Sequence, residues 1–117
     1  MGFDLMGMHP ENDEGEYFQA NIWSWRRLWY VACSLSSDFL TDKQIEGGDT
    51  NDGKWIPKGK AIEMGLRLEK AYKNRMERNV RRIVDDSKKD YPDYGFEWPF
   101  ALDFAKFLKS SGGFKIC

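Results

Sequence analysis

Trp25, Leu28, Trp29, Ala32 and Leu35 recur at spacings of three and four residues. That spacing puts all five on one side of an α-helix. A stripe carrying two tryptophans holds too much apolar surface to leave in water, so the rest of the chain must supply a layer that covers it. The predicted helix runs from about Ala20 to Ser36, with Asn21 as its cap. Three further segments have helical signatures. Thr41 and Gln44 form a capping box for a short helix in which Ile45 points inward and Gly47 stops the turn. A long helix is expected from Pro57, a residue suited to a first helical position, to about Lys88, ahead of Pro92. Its apolar stripe is Ala61, Gly65, Leu68, Tyr72, Met76, Val80 and Ile83. At 1.5 Å per residue it would be ~48 Å long, more than a small domain can cover, so a break near Asn74 or Asn79, or a projecting end, is expected. After an aromatic loop over 91–98, Pro99 opens a last helix with Phe100, Phe104, Phe107 and Leu108 inward, closed at Gly112 or Gly113.

The two ends of the chain read differently. Phe3 and Leu5 alternate with Asp4, and Phe114 and Ile116 with Lys115, a period of two that suits short strands. A lone strand leaves its backbone groups unpaired, so the two are expected to lie side by side. The predicted fold is α+β and helix-dominated: three main helices plus a short one, with a small two-stranded β element from the N- and C-termini. With 117 residues, 41% hydrophobic and 32% charged, the chain fits one compact domain over 1–117.

Composition excludes several functions. No apolar run reaches the ~18–20 residues that span a bilayer, and residues 1–6 lack the basic flank and apolar stretch of a leader. With only two cysteines, Cys33 and Cys117, no disulfide framework can form, which suits a reducing cytoplasm. His9, the one histidine, has no partner in a recognisable catalytic pattern, and no phosphate-binding glycine loop or Cys/His cluster occurs. No catalytic residue, metal or cofactor is therefore expected, and the reading leans away from an enzyme. The loop 48–53 has the look of a calcium loop but fails it, because Gly48 and Gly59 occupy positions that need acidic ligands. A turn is the better reading.

The net charge of −1 conceals a segregation. Residues 1–53 carry ten acidic and three basic side chains, and residues 58–89 carry eleven basic and five acidic ones. A basic face of Arg67, Lys70, Arg78, Arg81 and Arg82 on the long helix could follow phosphates. Acidic side chains interrupt it, and a pI of about 5.8 is low for a nucleic-acid domain. The stronger candidate lies on the first helix. Trp23 falls outside the inward stripe, and Arg27, four residues on, shares its face. Trp23, Arg26 and Arg27, with Asn51, Asp52 and Gly53, are the candidate partner- or ligand-binding residues, because Trp and Arg often carry binding energy.

Met1-Gly2-Phe3-Asp4 with Gly7, Glu16-Tyr17-Phe18 with Asn21, Trp23, Trp25, Arg26 and Leu28-Trp29 form one set of marks along the chain. Leu40-Thr41, Asn51-Asp52-Gly53 and Ser111-Gly112-Gly113-Phe114 with Ile116 complete it. Together they resemble a family of small uncharacterised proteins encoded mainly by bacteriophages and prophages. The family pattern has Pro where this chain has Arg27. The resemblance implies no activity. It implies a phage setting, hence the cytoplasm of a bacterial host, where small accessory proteins bind host components. The leading expectation is a non-enzymatic phage-type accessory protein that binds a host protein or complex, with inhibition of an antiviral defence, of the anti-CRISPR kind, as the finer form. A binder of a small nucleotide-like ligand is the alternative, and a nucleic-acid-binding module using helix 57–88 comes third.

Overall fold

A computed structural model of the chain describes residues 2–50 and 54–117. The stripe on the first helix is covered as its size demands. Helix α1, Ile22–Leu35, buries Trp25, Leu28, Trp29 and Ala32 against a four-stranded antiparallel sheet and the other long helices. The sheet consists of β1 (Gly2–Gly7), β2 (Tyr17–Asn21), β3 (Lys54–Pro57) and β4 (Gly113–Ile116) in the order β2-β1-β4-β3. The terminal strands pair as expected, with Leu5 opposite Ile116 and Met6 opposite Lys115. Alternation then sorts the sheet into two faces. Phe3, Leu5, Phe18, Ala20, Ile56, Phe114 and Ile116 are buried beneath the helices, and the intervening residues face the other way.

The two-stranded element is thus the middle of a wider sheet. Strand β2 occupies residues that the helical reading had partly absorbed, since Ala20 pairs with Phe3 and α1 begins two residues later. Asn21 does cap the helix: its side chain accepts the Ser24 backbone N–H at 3.0 Å. The short helix α2, Asp42–Gly47, carries the full Thr41–Gln44 capping box. Pro57 ends β3 and stands as the N-cap of α3, not as its first helical residue.

The long helix is divided. Helix α3 covers Lys58–Lys73 and α4 covers Arg78–Asp90, with the break opening at Asn74. Leu68 and Ala71 are buried, whereas Met76 is exposed. The expected single stripe therefore fails at the turn, because nothing covers a straight continuation. Helix α5, Trp98–Ser110, has Pro99 in its first turn and buries Phe104, Phe107 and Leu108. The α5–β4 turn is made by Gly112 and Gly113 at φ +68° and +92°, a region that a side chain disfavours. Among the described residues, no helix is long and apolar enough to cross a membrane.

Trp25 ties these pieces together. It is fully buried, stacks on Phe3 at 5.6 Å and on Trp29 at 5.2 Å, and meets Phe104 edge-on at 5.5 Å. Its indole N–H donates to the Gly48 carbonyl at 2.7 Å, and that of Trp29 to the Ile45 carbonyl at 2.8 Å. Gly48 is packed so closely that a Cβ there would fall 1.9 Å from Trp29 Nε1.

Trp25→Ala is expected to cost about 3–5 kcal/mol, the range for removing a large buried aromatic, in a denaturant melt. Gly48→Ala should also destabilise the fold. Gly59→Ala, with open space around it, should not, because Ala is the better helix former. A loss below about 1 kcal/mol for Trp25→Ala would contradict this packing.

Candidate functional site

Asn21 sets the site's geometry. It ends β2 and caps α1 in one residue, so the first helical turn emerges at the sheet edge with Trp25 turned in and Trp23 turned out. Trp23 is 61% exposed. Its ring meets the Tyr94 ring edge-on at 5.5 Å. Tyr94 lies stacked on Tyr91 at 5.9 Å, and Tyr91 meets Tyr30 at 6.2 Å. A ladder of four rings thereby follows the outer side of α1, half of it from the 91–97 loop.

Beside Trp23 is a cleft of about 370 Å³ between the first turn of α1 and the start of α5. Its walls are Trp23, Leu28, Phe96 and Phe100, and its polar margin is Asn21, Ser24 and Glu97. The described lining holds one carboxylate and no Lys or Arg, so the cleft suits an apolar group.

The two arginines of the candidate set do different things. Arg27 is directed away from the cleft and holds α4 and the loop after it. Its Nε donates to Ser87 Oγ at 2.8 Å, one Nη to the Tyr94 carbonyl at 3.0 Å and the other to the Val84 carbonyl at 3.2 Å. Partial burial disfavours its charge, and nearby Asp85 offsets part of that cost. Arg26 bonds to Asp49 at 3.2 Å and lies 5.8 Å from the Phe3 ring centroid. It borders a second, smaller hollow of about 220 Å³ lined by Trp29, Tyr30, Cys33, Ile45 and Tyr91. Trp23 and Arg26 thus open onto different hollows. Asn51, Asp52 and Gly53 lie outside the described residues.

The basic residues do not form one face either. Arg67 and Lys70 belong to α3, and Arg78, Arg81 and Arg82 to α4. Arg67 is consumed internally, with both its Nη atoms on the Asp38 carboxylate at 2.8 and 2.9 Å, its Nε on Glu63 and one Nη on the Leu35 carbonyl. Those bonds hold the Asp38 carboxyl below the usual carboxylate range. Arg78, Arg81 and Arg82 surround a shallow depression shared with Asp85 and Asp86, so their positive potential is interrupted. Among the described residues, no group of acidic, His or Cys side chains is placed to hold a metal ion.

Phe100 was expected to face inward from the last helix, and Tyr94 and Phe96 to lie in the aromatic loop, but none of the three was placed at the candidate site from sequence. The available signal was the density of aromatics over 91–100, but nothing local says that this loop returns to the first turn of α1. Comparison of the chain with known protein families, with curated proteins and with solved structures returned no match.

Replacing Arg27 with Ala removes charge-assisted hydrogen bonds worth about 1.5–3 kcal/mol each at most. A loss of about 2–3 kcal/mol is expected, with α4 amides exchanging faster. Arg27→Lys should not restore the protection, since an ammonium cannot match the three-way fork. Unchanged α4 exchange in Arg27→Ala would show that the helix is held by other contacts. Burial raises the Cys33 thiol pKa well above its ordinary value, whereas Cys117 is exposed. A thiol reagent at neutral pH should therefore label Cys117 quickly and Cys33 only on unfolding.

Proposed function

We propose that this chain is a non-enzymatic binding protein that engages a partner protein through Trp23 and the cleft beside it. The observation that carries the reading is the placement of a mostly exposed tryptophan on the rim of an apolar cleft. A tryptophan left in water beside unfilled apolar surface is costly unless something covers it, and such residues dominate binding energy at interfaces. A cleft of this size accepts one or two apolar side chains. The resemblance to small phage and prophage proteins supports a host protein or complex in the bacterial cytoplasm as the partner. Interference with an antiviral defence is the finer form of the proposal, and it rests on that association alone.

The nucleotide-like alternative is weaker on charge grounds. A bound phosphate needs a cation or a cluster of free N–H donors. Arg27 is committed to α4, Arg26 to Asp49, and Glu97 borders the cleft. The nucleic-acid alternative loses its single continuous basic helix to the break at Asn74.

The test is affinity capture from a bacterial host lysate with the wild-type chain and with Trp23→Ala, each followed by mass spectrometry. A host protein retained by wild type should be lost with Trp23→Ala, a weakening of about 2 kcal/mol or more. The variant's stability should stay within about 0.5 kcal/mol of wild type. Equal retention of that protein by both chains would move the site away from Trp23. An unfolded variant would show that the residue is structural.

A further inference from the structure

An open sheet has two edge strands, whose outward N–H and C=O groups are a template for another chain. Here the edges are β3 and β2. Edges are ordinarily blunted by a charge, a proline or a covering element. Strand β3 has all three, since it carries Lys54, ends on Pro57 and has α2 packed beside it. Strand β2 has neither charge nor proline: Tyr17-Phe18-Gln19-Ala20-Asn21 contains no Lys, Arg, Asp, Glu or Pro.

The hydrogen bonds of β1 fix which groups of β2 are left over. Asp4 and Cys117 exchange both backbone bonds, the Asp4 carbonyl accepting at 2.7 Å and its N–H donating at 3.1 Å. The backbone groups of Asp4 are thus turned toward β4, and those of Phe3 and Leu5, one residue to either side, toward β2. Phe3 stands opposite Ala20 and Leu5 opposite Phe18, so Ala20 and Phe18 answer them. The Glu16 carbonyl, which accepts the Gly7 N–H at 3.0 Å, continues the alternation. Tyr17 and Gln19 fall between these residues, and their N–H and C=O groups point away from the sheet. No described residue answers those groups.

This edge leads into the Trp23 cleft. Asn21 ends the strand and is also part of the cleft margin. On the helix side of the sheet the Phe18 ring lies 5.2 Å from that of Phe100, which is a wall of the cleft. A strand laid outside β2 would turn every second side chain to that same side. Near the Asn21 end such a side chain would have Phe100, Phe96 and Trp23 around it. Glu97, exposed at the cleft margin, takes part in no ion pair among the described residues, so a cation beside the apolar anchor is favoured.

We propose, resting on the Trp23 cleft as the partner site, that the partner presents an extended segment that adds to the free edge of β2 as a fifth strand of the four-stranded sheet. The segment seats one apolar side chain in the cleft and sets a Lys or Arg against Glu97. Main-chain bonds to Tyr17 and Gln19 supply affinity with little regard to sequence, and the cleft supplies selectivity. A helix in the same cleft would use none of the edge groups, because its own backbone bonds are internal.

The probes are peptides of ~9 residues, selected from a random library on the full chain and titrated into it with ¹⁵N labelling. In the free chain the amides of Tyr17 and Gln19 should exchange quickly and those of Phe18 and Ala20 slowly. A bound peptide should slow Tyr17 and Gln19 and shift the Trp23 indole. N-methylation of the peptide, one residue at a time, should weaken binding about tenfold or more at alternate residues and little at those between. Gln19→Pro, which removes an edge N–H, should weaken the peptides by a similar factor, and if that variant does not fold the methylation scan decides alone. Unprotected Tyr17 and Gln19 amides in a saturated complex, or a methylation pattern without a period of two, would overturn the added strand, and loss of binding in Trp23→Ala would show that the cleft nevertheless stands. Strand protection and affinity that both survive Trp23→Ala would overturn the anchor, and the cleft as partner site with it. A library without binders, or binders that shift other residues, would overturn the proposal outright. A wild-type chain that is dimeric at the titration concentration and monomeric as Gln19→Pro would overturn it in favour of a second copy on the same edge.

Discussion

The structure depends on one indole. Trp25 is covered on one side by Phe3 of the central strand, on the other by Trp29 of its own helix, and at its edge by Phe104 of α5. Its single polar atom is satisfied by the Gly48 carbonyl. A buried N–H left unpaired costs about 1–3 kcal/mol, so the segment after α2 is drawn to one position against α1. Four distant parts of the chain meet at this ring. The close fit at Gly48 and the left-handed turn at Gly112 follow from the need to bring backbone up to it and to return β4 to the sheet.

Once α1 is pinned by its inner stripe, the remaining positions on that helix are assigned by elimination. Trp23 has no place in the core and meets the 91–97 loop only by its edge. Arg27 does have an internal role, because α4 buries little apolar surface of its own, chiefly Val80, and must be held by polar contacts. The helix is amphipathic but thinly packed, and the guanidinium fork compensates. The binding reading therefore rests on an aromatic, and the arginine beside it is structural support for the loop that shapes the cleft.

Much of this was legible in the sequence. The stripe on α1, the Asn21 cap, the Thr41 capping box and the alternation of the terminal strands all express local rules with strong residue preferences, and the pairing of those two strands followed from the need to satisfy their backbone groups. What was not legible was non-local. Tyr17 to Asn21 has the alternation of a strand, but it runs without a break into α1, and the helical signal masked it. Residues 54–57 are too short to announce a strand and become one only because β4 offers a free edge. The division of the long helix at Asn74 reflects the absence of a surface to cover Met76, which no local pattern records. For the site, the exposure of Trp23 could be anticipated from its phase on the helix. The apolar cleft beside it could not, since Phe96 and Phe100 arrive from more than seventy residues away in the chain.

The same logic separates four of the five tryptophans into two kinds. Trp25 and Trp29 hold the fold, while Trp23 and Trp55 stand on two different surfaces and contribute little to it. Hydrogen exchange of the indole N–H protons, followed by NMR on the unliganded chain, tests that division directly. Trp25 and Trp29 should exchange only through global unfolding, with the same dependence on denaturant, and Trp23 and Trp55 at the rate of a free indole. Protection of Trp23 or Trp55 equal to that of Trp25, or rapid exchange at Trp25, would contradict the account.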